Sequence, residues 1–167
     1  MGTKRVGMAR VKSLINENVN QLKFQYPEVI HISGTRTLLA SESGATIAWS
    51  LGSAHHITLP AAEVGRRYSF IIYAGSNSNH TIITQTADKI HGKAFVAKSA
   101  AADSCNTQNV AKASGVDKVH WDGNATTHGG LAGDTCELIC VEKGYWVANV
   151  LQSTTGTVGG TVAALAD

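Results

Sequence analysis

His55-His56-Ile57-Thr58-Leu59-Pro60 opens a run that continues through Ala61-Ala62-Glu63-Val64-Gly65 into Arg66-Arg67-Tyr68-Ser69-Phe70-Ile71-Ile72-Tyr73-Ala74. After Gly75-Ser76-Asn77-Ser78-Asn79 it resumes as His80-Thr81-Ile82-Ile83-Thr84-Gln85-Thr86 and closes on Asp88-Lys89-Ile90-His91-Gly92. β-Branched and aromatic residues fill the runs, and Gly, Asn, Ser or Pro fill the gaps, the pattern of consecutive strands joined by turns. In 66–74, Tyr68, Phe70 and Ile72 share one face and Ser69, Ile71 and Tyr73 the other. Two largely apolar faces predict a strand buried between layers. The run reads as the central meander of a β-sandwich, and it holds no reaction centre.

Outward from this run the same alternation recurs. Val29–Ser33, Arg36–Ala40 and Ala45–Leu51 precede it. Lys93–Ala97 and Lys118–Asp122 follow, and Thr135–Val141 and Tyr145–Leu151 flank Glu142-Lys143-Gly144, a three-residue hairpin turn with Gly last. Residues 98–116 lack periodicity and read as a long surface loop. Residues 7–24 are different in kind. Met8, Val11, Ile15, Val19 and Leu22 recur at three- and four-residue steps, one narrow apolar stripe on a helix that Pro27 ends. A helix this short is marginal alone, so the stripe must dock on its own sandwich or bundle with copies of itself. Asn18, beside the stripe, suits a register-setting polar position in such a bundle.

The fold expected is mainly β: a jelly-roll-like β-sandwich of about ten short strands with one N-terminal helix. Residues 1–27 form a basic arm and helix, 28–152 the sandwich body, and 153–167 a small-residue tail, flexible or pairing with a neighbouring subunit. At 167 residues the chain suits one domain with a proper core. Charged residues make up 16%, against roughly 25% in an average domain, which fits a surface of hydroxyls and amides or one partly covered by partners. The net charge is +2, unevenly placed: Lys4, Arg5, Arg10 and Lys12 precede any acid, leaving ten basic against twelve acidic residues in the rest. Such an arm suits contact with an acidic surface or nucleic acid, the alternative being a solvated, partly disordered terminus.

Little of this points to bond-making chemistry. Cys136 and Cys140 lie roughly 13 Å apart along one strand at ~3.3 Å per residue, beyond the ~7 Å of a disulfide. An odd count of three cysteines without a secretory signal suits a reducing cytoplasm. No apolar run approaches the ~20 residues of a membrane span. His55 and His56 point to opposite strand faces, and the other histidines lack zinc spacing, so no metal or other cofactor is expected. There is no nucleophile elbow and no Lys-Ser/Thr after the paired glycines. His120 and Asp122 share a strand face, a spacing more often structural than catalytic. No enzymatic activity is expected. Arg66-Arg67 alone does not make a nucleic-acid surface. Trp49 and Trp121, if exposed, offer faces for glycan stacking, although Trp in a sandwich strand is usually core.

The opening Met1-Gly2-Thr3-Lys4-Arg5-Val6-Gly7-Met8-Ala9-Arg10 resembles the start of small virion proteins of tailed phages, particularly marine ones. So do Ile57-Thr58-Leu59-Pro60, Gly65, Tyr68–Ile71, His80-Thr81-Ile82, Asp88–Gly92, Gly133–Leu138 and Gly144–Val147. The resemblance spans most of residues 1–152. It implies a β-rich head decoration (cement) protein, a homotrimer on the capsid surface whose partner is the major capsid protein, assembled in the host cytoplasm. The expected contact residues are Lys4, Arg5, Arg10 and Lys12 with Met8, Val11, Ile15, Val19 and Leu22. The alternative expectation is a trimeric fibre or spike module that binds host glycans through Trp49 and Trp121.

Overall fold

The computed structural model describes residues 7–25, 28–50, 53–74, 79–85, 87–98, 105–121, 129–154 and 165–166, without the side chains of 19–25 and 98. Helix α1 (Met8–Gln25) starts on Gly7, whose carbonyl accepts from the Arg10 and Val11 amides at 2.9 and 3.2 Å. Twelve strands follow: β1 (Val29–Ile32), β2 (Arg36–Thr37), β3 (Thr46–Ser50), β4 (His55–Thr58), β5 (Arg67–Ala74), β6 (His80–Ile83), β7 (Lys89–Lys98), β8 (Cys105–Val110), β9 (Lys118–Trp121), β10 (Thr135–Glu142), β11 (Tyr145–Thr154) and β12 (Leu165–Ala166). They form a seven-stranded sheet, β1-β3-β5-β10-β11-β7-β8, and a five-stranded sheet, β12-β9-β6-β4-β2. One apolar cluster lies between the sheets, as a β-sandwich requires.

The connectivity differs from the expected meander. From β1 to β6 each strand lies in the sheet opposite its predecessor's, so the chain winds in three stacked coils. β1, β3 and β5 pair in parallel (Ile30↔Ile47↔Phe70), and β2, β4 and β6 do the same (Arg36↔Ile57↔Ile82). Strands β4, β5 and β6 therefore do not neighbour one another in sequence order. A jelly roll is antiparallel, whereas here five pairings are parallel and five antiparallel. Among the described residues, Ser43-Gly44 and Lys143-Gly144 form turns as expected. What they connect is decided by which apolar face finds which, a non-local matter.

Strand β7 is longer than its sequence suggests. Gly92 has the look of a terminator, yet Lys89–Lys98 is continuous and pairs parallel with β11 over its whole length. A Cβ at Gly92 would lie 2.1 Å from the Ala148 carbonyl oxygen, and φ is +138°. The residue is Gly because the neighbouring backbone occupies the side-chain site. Part of the expected 98–116 loop is strand β8, which carries Cys-Asn-Thr-Gln-Asn-Val at a sheet edge and so has no apolar alternation to reveal it. Of the C-terminal tail, Leu165–Ala166 pair within this chain against β9. Gln108 clamps them, its amide donating to the Leu165 carbonyl (2.7 Å) and accepting from the Leu165 amide (3.0 Å). Residues 155–164 lie outside the described residues.

Trp49, Trp121 and Trp146 are all fully buried. Trp49 of one sheet meets Trp121 and His80 of the other, ring centroids 6.0 and 5.2 Å apart, both edge-on. Such contacts add to simple area burial by about 0.5–1.5 kcal/mol each. They stitch the two layers at one end. Cys136 and Cys140 flank Leu138 on the inner face of β10, and burial pushes both thiols up. They act as small hydrophobes.

Candidate docking surface

Most of the exposed large apolar side chains fall in two places, Leu39 and Val64 lying outside both. The first is α1, where every described side chain from Gly7 to Asn18 is exposed. Met8 is 74% exposed and Ile15 54%, with Val11 and Leu14 between them. The stripe predicted from the spacing is thus present on the helix, and the body does not cover it. Of the expected contact residues, Met8, Arg10, Val11, Lys12 and Ile15 lie on this exposed segment. Val19 and Leu22 continue it in sequence, but their side chains lie outside the described residues, as do Lys4 and Arg5.

The second place is the outer face of the seven-stranded sheet. Strand β5 was expected to be buried on both sides. Instead Tyr68, Phe70 and Ile72 face the core, while Arg67, Ser69, Ile71 and Tyr73 face outward with no third layer over Ile71 and Tyr73. The register then lines up outward side chains across four strands. Ile71 (β5), Thr135 (β10), Leu151 (β11) and Phe95 (β7) make one row. Arg67, Ile139, Val147 and His91 make another, and Ser69, Glu137, Asn149 and Lys93 lie between them. Leu151 is 50% exposed, and Ile71, Phe95 and Ile139 are exposed too. A shallow groove of about 370 Å³ lined by Thr46, Arg67, Ser69, Glu137 and Ile139 runs along this face. An apolar row bordered by polar ones is the composition of a recognition surface.

The polar groups inside the body hold the structure together. Asp134, buried just before β10, accepts from the amides of Gly130 (2.7 Å), Leu131 (3.2 Å) and Ser153 (2.8 Å), fixing the 129–134 turn to β11. Burial pushes its carboxyl up, and those three amides oppose the shift. Gln152 donates to the His120 carbonyl at 2.8 Å and so ties β11 to β9 in the other sheet. The sequence carried no sign of either tie, since a single Asp after Gly133 looks like any turn.

The histidines divide as the strand geometry dictates. His55 turns inward toward His80 (ring centroids 6.2 Å), while exposed His56 bonds the Thr81 hydroxyl. His80 is fully buried, and neither ring nitrogen has a hydrogen-bond partner. Among the described residues no three metal-ligating side chains converge. The His120–Asp122 pair cannot be placed, because Asp122 lies outside the described residues.

The glycan-stacking expectation for Trp49 and Trp121 is overturned. Both indoles have 0% exposure and pack on each other, so neither offers a face to a sugar. The aromatic rings on the outer surface are those of Tyr73 and Phe95. No helix among the described residues is long and apolar enough to cross a membrane. Comparison with protein-family models, with curated proteins and with solved structures found no match.

Proposed function

We propose that this chain is a structural virion subunit of the head-decoration kind, which seats on the outer surface of a phage capsid in several copies, as a homotrimer, and stabilises it. The observation that carries the reading is the uncovered apolar stripe of α1 on a body whose outer sheet face is itself apolar in rows. A subunit that works by contact needs a rigid body and uncovered adhesive surface, and this chain has both. Each bound copy adds interface to the assembled particle. Because it binds the assembled state and not the free subunits, it shifts the equilibrium toward assembly by mass action. The basic N-terminal residues Lys4, Arg5, Arg10 and Lys12 suit an acidic capsid surface and draw the subunit toward it.

Co-sedimentation with empty heads tests the role. The full chain is expected to pellet with heads in many copies, and a chain lacking residues 1–24 is expected to remain in the supernatant. Near-ultraviolet dichroism from the three buried tryptophans reports that the shortened body is folded. Undiminished pelleting of the shortened chain removes α1 and the arm from the capsid contact, and failure of the full chain to pellet removes the capsid role altogether.

A further inference from the structure

We propose that α1 is the joint between copies: it packs in parallel against α1 of further copies of this chain, seam to seam, with Asn18 facing Asn18. The inference rests on the multi-copy reading above and adds where the copies meet. Three features of the helix carry it. First, the spacing is that of a seam. Met8, Val11, Ile15, Asn18 and Leu22 alternate by three and four residues, the a and d positions of two heptads, with Leu14 and Val19 of the apolar face bordering them. The body leaves the described part of this face, Met8 to Asn18, exposed.

Second, the charges are placed for it. At ~100° per residue, Arg10 and Glu17 fall on the side of the helix away from the stripe. The charged residue bordering the stripe in its exposed part is Lys12, and in a parallel pair it lies beside the Gly7 end of the neighbouring helix, not beside another cation. Leu14 borders the opposite side and is also exposed, widening the seam. Identical helices therefore meet without like-charge contact along the seam.

Third, Asn18 chooses the direction. In a parallel arrangement each Asn18 amide meets another amide, and Met8, Val11 and Ile15 meet their own kind. In an antiparallel one centred on this helix, Asn18 falls opposite Ile15 and its buried amide loses its polar partner.

The test uses the full chain. Light scattering is expected to give a whole-number multiple of 17.5 kDa, and Ile15→Asp is expected to return the mass to a single chain with the tryptophan dichroism unchanged. For direction, Val11→Cys is made in a Cys105→Ser background, because Cys105 is exposed whereas Cys136 and Cys140 are buried. Mild oxidation is expected to cross-link Val11→Cys to itself, and Met8→Cys serves as the second seam position. A single-chain mass for the parent overturns the inference, and so does an oligomer that survives Ile15→Asp. An oligomer in which neither seam cysteine cross-links overturns the parallel arrangement. These outcomes are separable from capsid binding: a monomer that pellets with heads sinks the bundle and the homotrimer but leaves capsid binding, and an oligomer that ignores heads sinks only the capsid role.

Discussion

His80 lies where a charge has least support. Its ring is sealed from solvent between Trp49 and His55, with no hydrogen bond to either nitrogen. Burial, and then the neighbouring His55, His120 and His56, push it down to about 4 from an ordinary 6.5. Below pH 6.5 the unfolded chain takes a proton there that the folded chain refuses until about pH 4. Stability is therefore complete above pH 6.5 and falls as pH drops toward 4, by about 3 kcal/mol for such a shift. Urea unfolding at pH 7 and at pH 4.5 should show this loss, and His80→Leu should remove most of it. A wild-type midpoint that does not move between the two pH values rules out the buried neutral imidazole. Asp134 is the opposite kind of residue. Its three amide donors make it a brace for the turn, and nothing in its bonding leaves an acceptor free for other work.

At the scale of elements, the close approach of β7 and β11 is the most demanding contact in the body. Gly92→Ala places a methyl within the Ala148 carbonyl, backbone against backbone, where neither strand can turn aside. The expected cost exceeds about 3 kcal/mol, at the upper end for single substitutions, and thermal melting compared with Gly115→Ala or Gly44→Ala measures it. Retained melting temperature for Gly92→Ala means that the two strands are not in this register. Strand β12 is held differently, by two hydrogen bonds from Gln108 and two residues of pairing with β9. Gln108→Ala is expected to cost about 1–2 kcal/mol and to speed hydrogen exchange at the Leu165 amide. Exchange as slow as in the parent shows that β9 alone anchors the segment.

For the molecule as a whole, the body and α1 are separable in energy. The core cluster draws from both sheets and, among the described residues, contains no side chain of α1. Deleting residues 1–24 is therefore expected to leave the melting temperature of the body within a few degrees, measured at a concentration where the parent is a single chain. A fall of more than about 10 °C, roughly 2.5–5 kcal/mol in a domain of this size, means that the helix belongs to the fold. The two uncovered surfaces then have different meanings. The stripe of α1 meets identical helices, and the rows on the outer sheet, with Glu137 and Lys93 set among Ile71, Leu151 and Phe95, remain for a surface of another kind.

Alternation along 66–74, the 135–151 hairpin, the three- and four-residue stripe of 8–22 and the absence of βαβ spacing were all legible in the chain. Each is a local pattern that its own residues impose. Twelve strands stand where about ten were read, because β8 has no apolar face and β12 is only two residues long. The winding of β1–β6 between two sheets was not legible either, since Gly, Ser and Asn turn a chain without saying which strand it will next lie beside. Nor was the fate of Trp49 and Trp121, which the same strand pattern permits inside or out. Periodicity thus settled the helix and most of the strands, but not β8, β12 or the full length of β7. Pairing partners, the sealed tryptophans and the bare outer face of β5 were settled only when segments distant in sequence packed, because burial is a property of what arrives on the other side.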